Sequence, residues 1–373
     1  MPSSDVLVSV ILPIYNAMPH LGQALDSIQA QTHKKLEIIC VNDGSTDSSL
    51  AVMQAHAAVD DRIRIIDKQN EGYGASMNRG LAEAHGQWIA LVEPDDWIEP
   101  RMYEDMLAFA AGFGDSCERI DMIKTPYYSI TYPGTARERK CECPYKYKVK
   151  QSKRVESIHE LVELYRHHPS IWSAIYRKSF LDSNEIRFLP IPGAGWADNP
   201  FFTETYLKAR GIVYLDQAYY CYRADTLAQA DVFHRKNPLI PFERWNQMLD
   251  VIEECGVDDD ELLMAHYSHG FLYMSGVFES VSIDEDPAVR EATQHMFDRM
   301  RPELVDRMAN VKPGVRRLFA QMRGLPEPKQ HYVRYAATLV DQTVQDFRTM
   351  GPRDTIEAVL GFMNRYKKRA ATQ

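Results

Sequence analysis

The chain has 373 residues, 45% of them apolar and 25% charged, with a formal net charge of -9, a balance that fits a folded globular protein. Its length predicts a main domain of about 200–250 residues with a further part attached. The acidic balance excludes a general nucleic-acid binder, whose affinity rests on a basic surface, and no run reaches the roughly 18 apolar residues that span a bilayer.

The first residues run into an apolar segment without the basic start of a signal peptide. Residues 6–14 read as a buried strand that Pro13 brings to its exit, followed by a loop at Tyr15-Asn16. Leu21, Leu25 and Ile28 have helical spacing. Residues 36–41 form a second strand ending in the turn-rich 42–47, which can also cap the next helix. A short third strand covers 63–66, and 72–84 is a loop running into a helix of small residues. Residues 88–92 are a fourth strand, closed by Glu93-Pro94-Asp95-Asp96. Beyond it we expect a helix over 102–109, a strand over 122–132, a helix over 158–165 and a strand over 171–176. A loop at 190–195, a helix over 199–209 and a strand over 212–215 follow. From about residue 236 amphipathic helices run to the end, the first marked by Ile240, Trp245, Leu249 and Ile252 and the last by a frayed basic Lys367-Lys368-Arg369.

Strands alternating with helices predict an α/β fold with a mostly parallel sheet. Ligands bind such sheets beyond the C-terminal strand ends. There the sequence converges Tyr15-Asn16, Asn42-Asp43 and Glu93, Asp95 and Asp96. Two or three carboxylates on one tight turn can hold a divalent cation that bridges phosphates, or can simply be a solvated turn capping the helix near Pro100. Asp43 can accept from a nucleobase N–H or serve as a turn carboxylate. In 70–80 the glycines permit close approach to a ligand, and Arg79 can reach a phosphate or base; the plain alternative is a mobile loop with a surface arginine.

Taken in order, 10–16, 41–47, 70–80 and 93–97 resemble the inverting glycosyltransferase family 2. The resemblance implies a GT-A, Rossmann-like nucleotide-diphospho-sugar transferase fold over 1–235, with a nucleotide-sugar half at about 1–105, an acceptor half at about 106–235, and an added C-terminal helical region at 236–373. It implies that Pro13, Tyr15, Asp43, Arg79 and Asp95 bind nucleotide, and that Asp96, Asp95 and Glu93 hold Mn2+ or Mg2+. Glu93 stands where the family often has Asp. The segment 195–202 resembles the family's general-base segment, with Asp198 as base and Ala197 in place of a usual Glu; outside that resemblance, Asp198 reads as a helix N-cap before Asn199-Pro200. Residues 219–223 resemble the segment that closes the catalytic domain, which carries the likeness to about residue 230.

The expected chemistry is one displacement with inversion, from a nucleotide-diphospho-sugar, UDP-linked by family habit, to a saccharide or lipid-linked glycan acceptor in cell-surface polysaccharide synthesis. Trp196 and Trp172 can form a sugar platform or be core. The stretch 137–154 holds eight Lys or Arg against two Glu and reads as a solvated hairpin, with an anionic acceptor or a membrane surface as the alternative. Six scattered cysteines, with only Cys141 and Cys143 close, read as thiols in a reducing, cytoplasmic setting. Peripheral contact with the inner membrane face and a homodimer stay open. A catalytically silent glycan-binding scaffold and a nucleotidyltransferase are the competing readings, the latter lacking a glycine-rich basic loop near the N-terminus.

Overall fold

A computed structural model describes residues 5–224, 234–328 and 331–370, except for the side chains of 353–354 and 357–370. The end of the resemblance near residue 230 and the Lys367-Lys368-Arg369 side chains therefore lie outside the described residues.

The N-terminal half alternates β1 (Val8–Ile14), α1 (Leu21–Gln29), β2 (Leu36–Asp43), α2 (Ser49–Ala57), β3 (Ile63–Lys68), α3 (Tyr73–Glu83) and β4 (Trp88–Leu91). Each residue of β1 is buried, as befits a central parallel strand covered on both faces. Leu21, Ala24, Leu25 and Ile28 give α1 one buried stripe. In α3 the small residues serve packing: a Cβ on Gly80 would lie 2.4 Å from the Ile11 side chain, so only glycine lets this helix lie so close on β1.

The chain continues through β5 (Trp97–Ile98), α4 (Met102–Ala111), β6 (Met122–Lys124), β7 (Tyr127–Thr131), β8 (Arg139–Glu142), α5 (Val162–Tyr165), β9 (Ala174–Arg177), α6 (Lys178–Ser183), α7 (Asp198–Lys208), β10 (Ile212–Tyr214) and β11 (Tyr220–Arg223). The main sheet has the order β10-β6-β9-β4-β1-β2-β3. It is parallel except where β9 enters between β4 and β6. A second sheet, β5-β11-β7-β8, was not expected. The single strand anticipated over 122–132 is two strands in different sheets, because Pro126 lies between them and cannot donate to a ladder. Likewise, 171–176 opens with a 3-10 turn over Ile171–Ser173 before β9. Of the helix expected over 158–165, only α5 is helical.

The C-terminal helices are α8 (Ile240–Glu254), α9 (Asp260–Ser280), α10 (Pro287–Asp298), α11 (Pro302–Arg307), α12 (Pro313–Met322) and α13 (Tyr332–Ala370). The last bends at Gly351, whose φ of 82° breaks the helix before Pro352. The helices α8 to α12 do not form a separate core. Trp245, Tyr267 and Phe297 belong to the same buried cluster as Val10 and Ile39, and α8 packs directly on α7.

Candidate functional site

At the C-terminal ends of β1, β2 and β4 lies a cavity of about 480 Å³ walled by Pro13, Tyr15, Asp43, Tyr73, Glu93 and Asp95 among others. Its size suits a nucleotide-scale ligand. The loops that build it are tied to one another. Asn16, at a left-handed φ of 51°, accepts from the Thr46 amide at 2.8 Å, and its own amide donates to Ser45 Oγ at 3.1 Å. The loop after β1 is thus held to the loop after β2.

Asp43 organises the opposite wall. It accepts from the amides of Glu71 and Gly72, each at 2.9 Å, and pairs with Lys68. Burial alone would raise its pKa; the Lys68 ammonium and the two amides overcome that and hold it below the usual carboxylate range. The approach expected of Gly72 and Gly74 is filled by protein. A Cβ on Gly72 would lie 2.3 Å from the Ile191 carbonyl, and one on Gly74 would lie 1.8 Å from that of Leu189. Tyr73 N donates to Gly193 O at 2.9 Å. Asn78 exchanges two 2.8 Å bonds with the Phe188 backbone. The start of α3 is therefore stitched to 188–193, the segment leading to α7.

The acidic turn after β4 splits by position. Glu93 and Asp95 face the cavity, and Glu93 accepts from Tyr73 OH at 2.7 Å. Asp96 is turned behind the wall and is 1% exposed. Its oxygens accept from Tyr220 OH at 2.9 Å and from the Arg223 amide at 2.6 Å. The Tyr220 hydroxyl also accepts from the Glu93 amide at 3.0 Å, so one side chain bridges both ends of the turn. Arg223 adds a bond from Nε to Asp95 O at 2.8 Å. Tyr220→Phe leaves a buried carboxylate oxygen and a backbone N–H without this partner. We expect it to lower folding stability by about 1–3 kcal/mol, read as a shifted urea midpoint with unchanged slope. An unchanged midpoint would mean the bridge carries no load.

Burial pushes both Glu93 and Asp96 up to about 8; on Glu93 the Tyr73 hydrogen bond opposes it and the charges of Asp95, Asp96 and Asp198 add to it, and on Asp96 the Asp95 charge adds to it against Arg223 and Tyr220. Such crowded negative charge suits a divalent cation. Among the described residues no three or more His, Cys, Asp or Glu side chains converge as a ready cage. Glu93 and Asp95, the carboxylates at the cavity wall, are the residues that could hold a cation whose other sites go to ligand phosphate oxygens. His20 stands on the same wall; burial and then the Arg223 charge lower its pKa, against Asp95.

Asp198 is the first residue of α7, and the cap position falls to Ala197, so the N-cap reading of Asp198 does not hold. Burial raises its carboxyl to about 6, opposed by its own amide. Its charge acts on Glu93, Tyr73, Tyr176 and Tyr273, so it stands within electrostatic reach of the acidic end of the cavity, behind the residues that wall it. The turn before it is fixed from the C-terminal helices. Arg244 Nε donates to Gly195 O at 2.9 Å, and Asn199 Nδ2 donates to Tyr273 OH at 3.0 Å.

Pro13, Tyr15, Asp43, Glu93 and Asp95 are therefore brought together, with Asp96 behind them and Asp198 alongside. Three other residues lie elsewhere. Arg79 points from the exposed side of α3 and pairs with Glu83 one turn on, at 3.1 Å. Trp172 is buried, stacked on Tyr220 at 4.1 Å between ring centres, so it braces the brace. Trp196 is partly buried and packs on Tyr273 at 4.7 Å. The residues that sequence reasoning missed are Tyr73, Lys68, His20 and the bridging role of Tyr220. The strand Tyr220–Arg223 was visible as a motif, but its pairing with the two-residue β5 just after the acidic turn was not.

A family model described as "Glycosyl transferase family 2" matches residues 9–181. Similar curated proteins include EpsH of Bacillus subtilis (strain 168), 30% identical over 226 residues that make up 58% of this chain and 60% of EpsH. Glycosyltransferase GlyA of Streptococcus pneumoniae serotype 4 is 28% identical over 59% of this chain and 31% of its own length. The chain thus spans less than two thirds of the length of these relatives. Among solved structures, S. aureus TarS 1-349 in complex with UDP-GlcNAc has a similar fold, with a TM-score of 0.64 at 21% identity over 92% of this chain and 91% of that one. A mannosyltransferase from Pyrobaculum calidifontis in complex with GDP-Man and Mn2+ gives a TM-score of 0.50 at 14% identity, covering 92% and 87%.

Proposed function

Residues 9–181 belong to glycosyl transferase family 2, and from that premise we propose that the chain transfers a sugar, with inversion, from a nucleotide-diphospho-sugar to a saccharide or lipid-linked glycan acceptor. The observation that carries this reading is a single cavity with Asp43 and its amide clamp on one wall, Glu93 and Asp95 on the other, and the Asp198 charge beside Glu93. UDP is the nucleotide we infer, since TarS, the more similar of the two folds above, is described in complex with UDP-GlcNAc.

In this mechanism Pro13, Tyr15 and the Asp43 wall hold the nucleoside. Glu93 and Asp95 would hold Mn2+ or Mg2+, which when bound supplies charge neutralisation at the diphosphate. Asp198 accepts the acceptor hydroxyl's proton as that oxygen attacks the anomeric carbon. A carboxylate raised to about 6 is ionised at neutral pH and is a stronger base than an exposed one. Attack from the face opposite the diphosphate needs no protein nucleophile. Trp196, two residues before Asp198 in sequence but packed on Tyr273 outside the cavity, is the aromatic residue we assign to the approach of the acceptor. Buried Trp172 is left as a structural support. We place the enzyme at the cytoplasmic side of a membrane; among the described residues no helix is long and apolar enough to cross one.

The test is hydrolysis of a panel of nucleotide sugars by the full chain with Mn2+ or Mg2+. Slow cation-dependent release of one nucleoside diphosphate, absent without cation, is expected and names the donor. No release and no donor binding across the panel sinks the reading. Donor binding without release under any acceptor favours a silent glycan-binding scaffold.

A further inference from the structure

Seven of the fourteen large apolar side chains exposed among the described residues belong to one helix, α13. Val333, Val340, Val344 and Phe347 recur at intervals of seven, four and three residues, which puts them on one face. Val333 is 85% exposed and Val340 61%. The opposite face holds the helix to the protein. Gln345 is buried and donates Nε2 to the carbonyls of Pro144 and Lys146 at 3.2 and 2.5 Å, and α13 packs against β8. The apolar face is therefore fixed outward.

The segment to which α13 is fastened is the basic stretch 137–154, eight Lys or Arg against two Glu; Lys140, Lys146, Lys148 and Arg154 are paired with Glu99, Asp216, Glu163 and Glu160, while Arg137, Lys150 and Lys153 are exposed. Two more exposed aromatic residues, Tyr132 and Tyr147, stand at its hairpin and turn. Residues 331–373 themselves carry seven Lys or Arg against four Asp or Glu, in a chain whose net charge is -9. Among the described residues, the exposed Arg137, Lys150 and Lys153 of this segment lie on the part of the chain to which the apolar helix is fastened.

We propose that α13 and the 137–150 segment form a docking surface for an anionic lipid bilayer, with the Val333–Val340–Val344–Phe347 face entering the headgroup region and the basic segment meeting the lipid charge. An amphipathic helix lying in the interface is held by buried apolar area together with the attraction of nearby Lys and Arg to anionic lipid. The inference rests on the proposed function only in that a lipid-linked acceptor would be met at such a surface.

The test is co-sedimentation of the full chain with vesicles of phosphatidylcholine alone and of phosphatidylcholine with about a third phosphatidylglycerol, at low and high salt. Binding is expected to the anionic vesicles only, to weaken in high salt, and to fall at least about tenfold in both V340D/F347D and R137E/K150E. Nucleotide binding by these variants should match the parent, so that failure of docking is separable from failure of the donor site. Absence of binding to anionic vesicles overturns the proposal. So does a concentration-dependent dimer that V340D/F347D converts to monomer without any vesicle binding by the parent, which would assign the face to a second copy of the chain.

Discussion

Asp198→Asn is expected to slow sugar transfer by about 10²–10⁴-fold, the range a positioned general base contributes, while leaving nucleotide affinity intact. Asn keeps the size and much of the hydrogen bonding but cannot take the proton. The pH profile gives a second handle. The base works only when ionised, and burial raises Asp198 to about 6. Measured at saturating Mn2+, which would hold Glu93 ionised despite its rise to about 8 in the free protein, the parent's kcat/KM should climb as pH rises through about 6 and level off above it, whereas a solvated carboxylate would put that limb near 4. The residual rate of the Asn variant should lack the limb. Transfer by Asp198→Asn within a few-fold of the parent, or a parent limb that persists in the variant, would remove Asp198 from the base role.

Asp95→Ala and Glu93→Gln are expected to cut cation-dependent donor cleavage by about 10²–10³-fold, the scale of losing preorganised charge stabilisation at a leaving group. The measurement that isolates the cause is UDP affinity with and without Mn2+. The parent should bind UDP more tightly when Mn2+ is present, and Asp95→Ala should bind it equally weakly in both. Asp96→Ala should behave differently, because Asp96 is occupied by Tyr220 and the Arg223 amide behind the wall. It should lose folding stability as well as activity. If Asp95→Ala retains the Mn2+ effect and Asp96→Ala alone loses it at full stability, the assignment of the cavity-facing carboxylates is reversed.

The N-terminal parallel core was legible because its signals are local. Unbroken apolar runs such as Val8–Ile14, and helical spacing such as Leu21, Leu25 and Ile28, need no partner to be read. The second sheet was not legible, since its strands are two to five residues long and pair residues as distant as Cys221 and Trp97. Nor was the fate of Arg79: sequence places it in a loop-to-helix segment, but helical phase decides whether it meets the cavity or Glu83. Gly72 and Gly74 were read as letting a ligand come close, whereas what comes close is the Leu189–Gly193 backbone. The carboxylates themselves were visible as a cluster. Their division into wall and brace depends on which oxygen Tyr220 reaches, a fact of tertiary geometry.

The turn that starts α7 is set by Arg244 and Tyr273, residues some fifty and seventy-five positions downstream of it. Shortening the chain at residue 235 would thus release the start of α7 and also strip Trp245, Tyr267 and Phe297 from the core they share with Val10 and Ile39, so the remnant is expected to lose folding stability together with the aim of Asp198. The same tie bears on inheritance. An exchange of segments between relatives that cuts near residue 235 separates α7 from the helices that aim it.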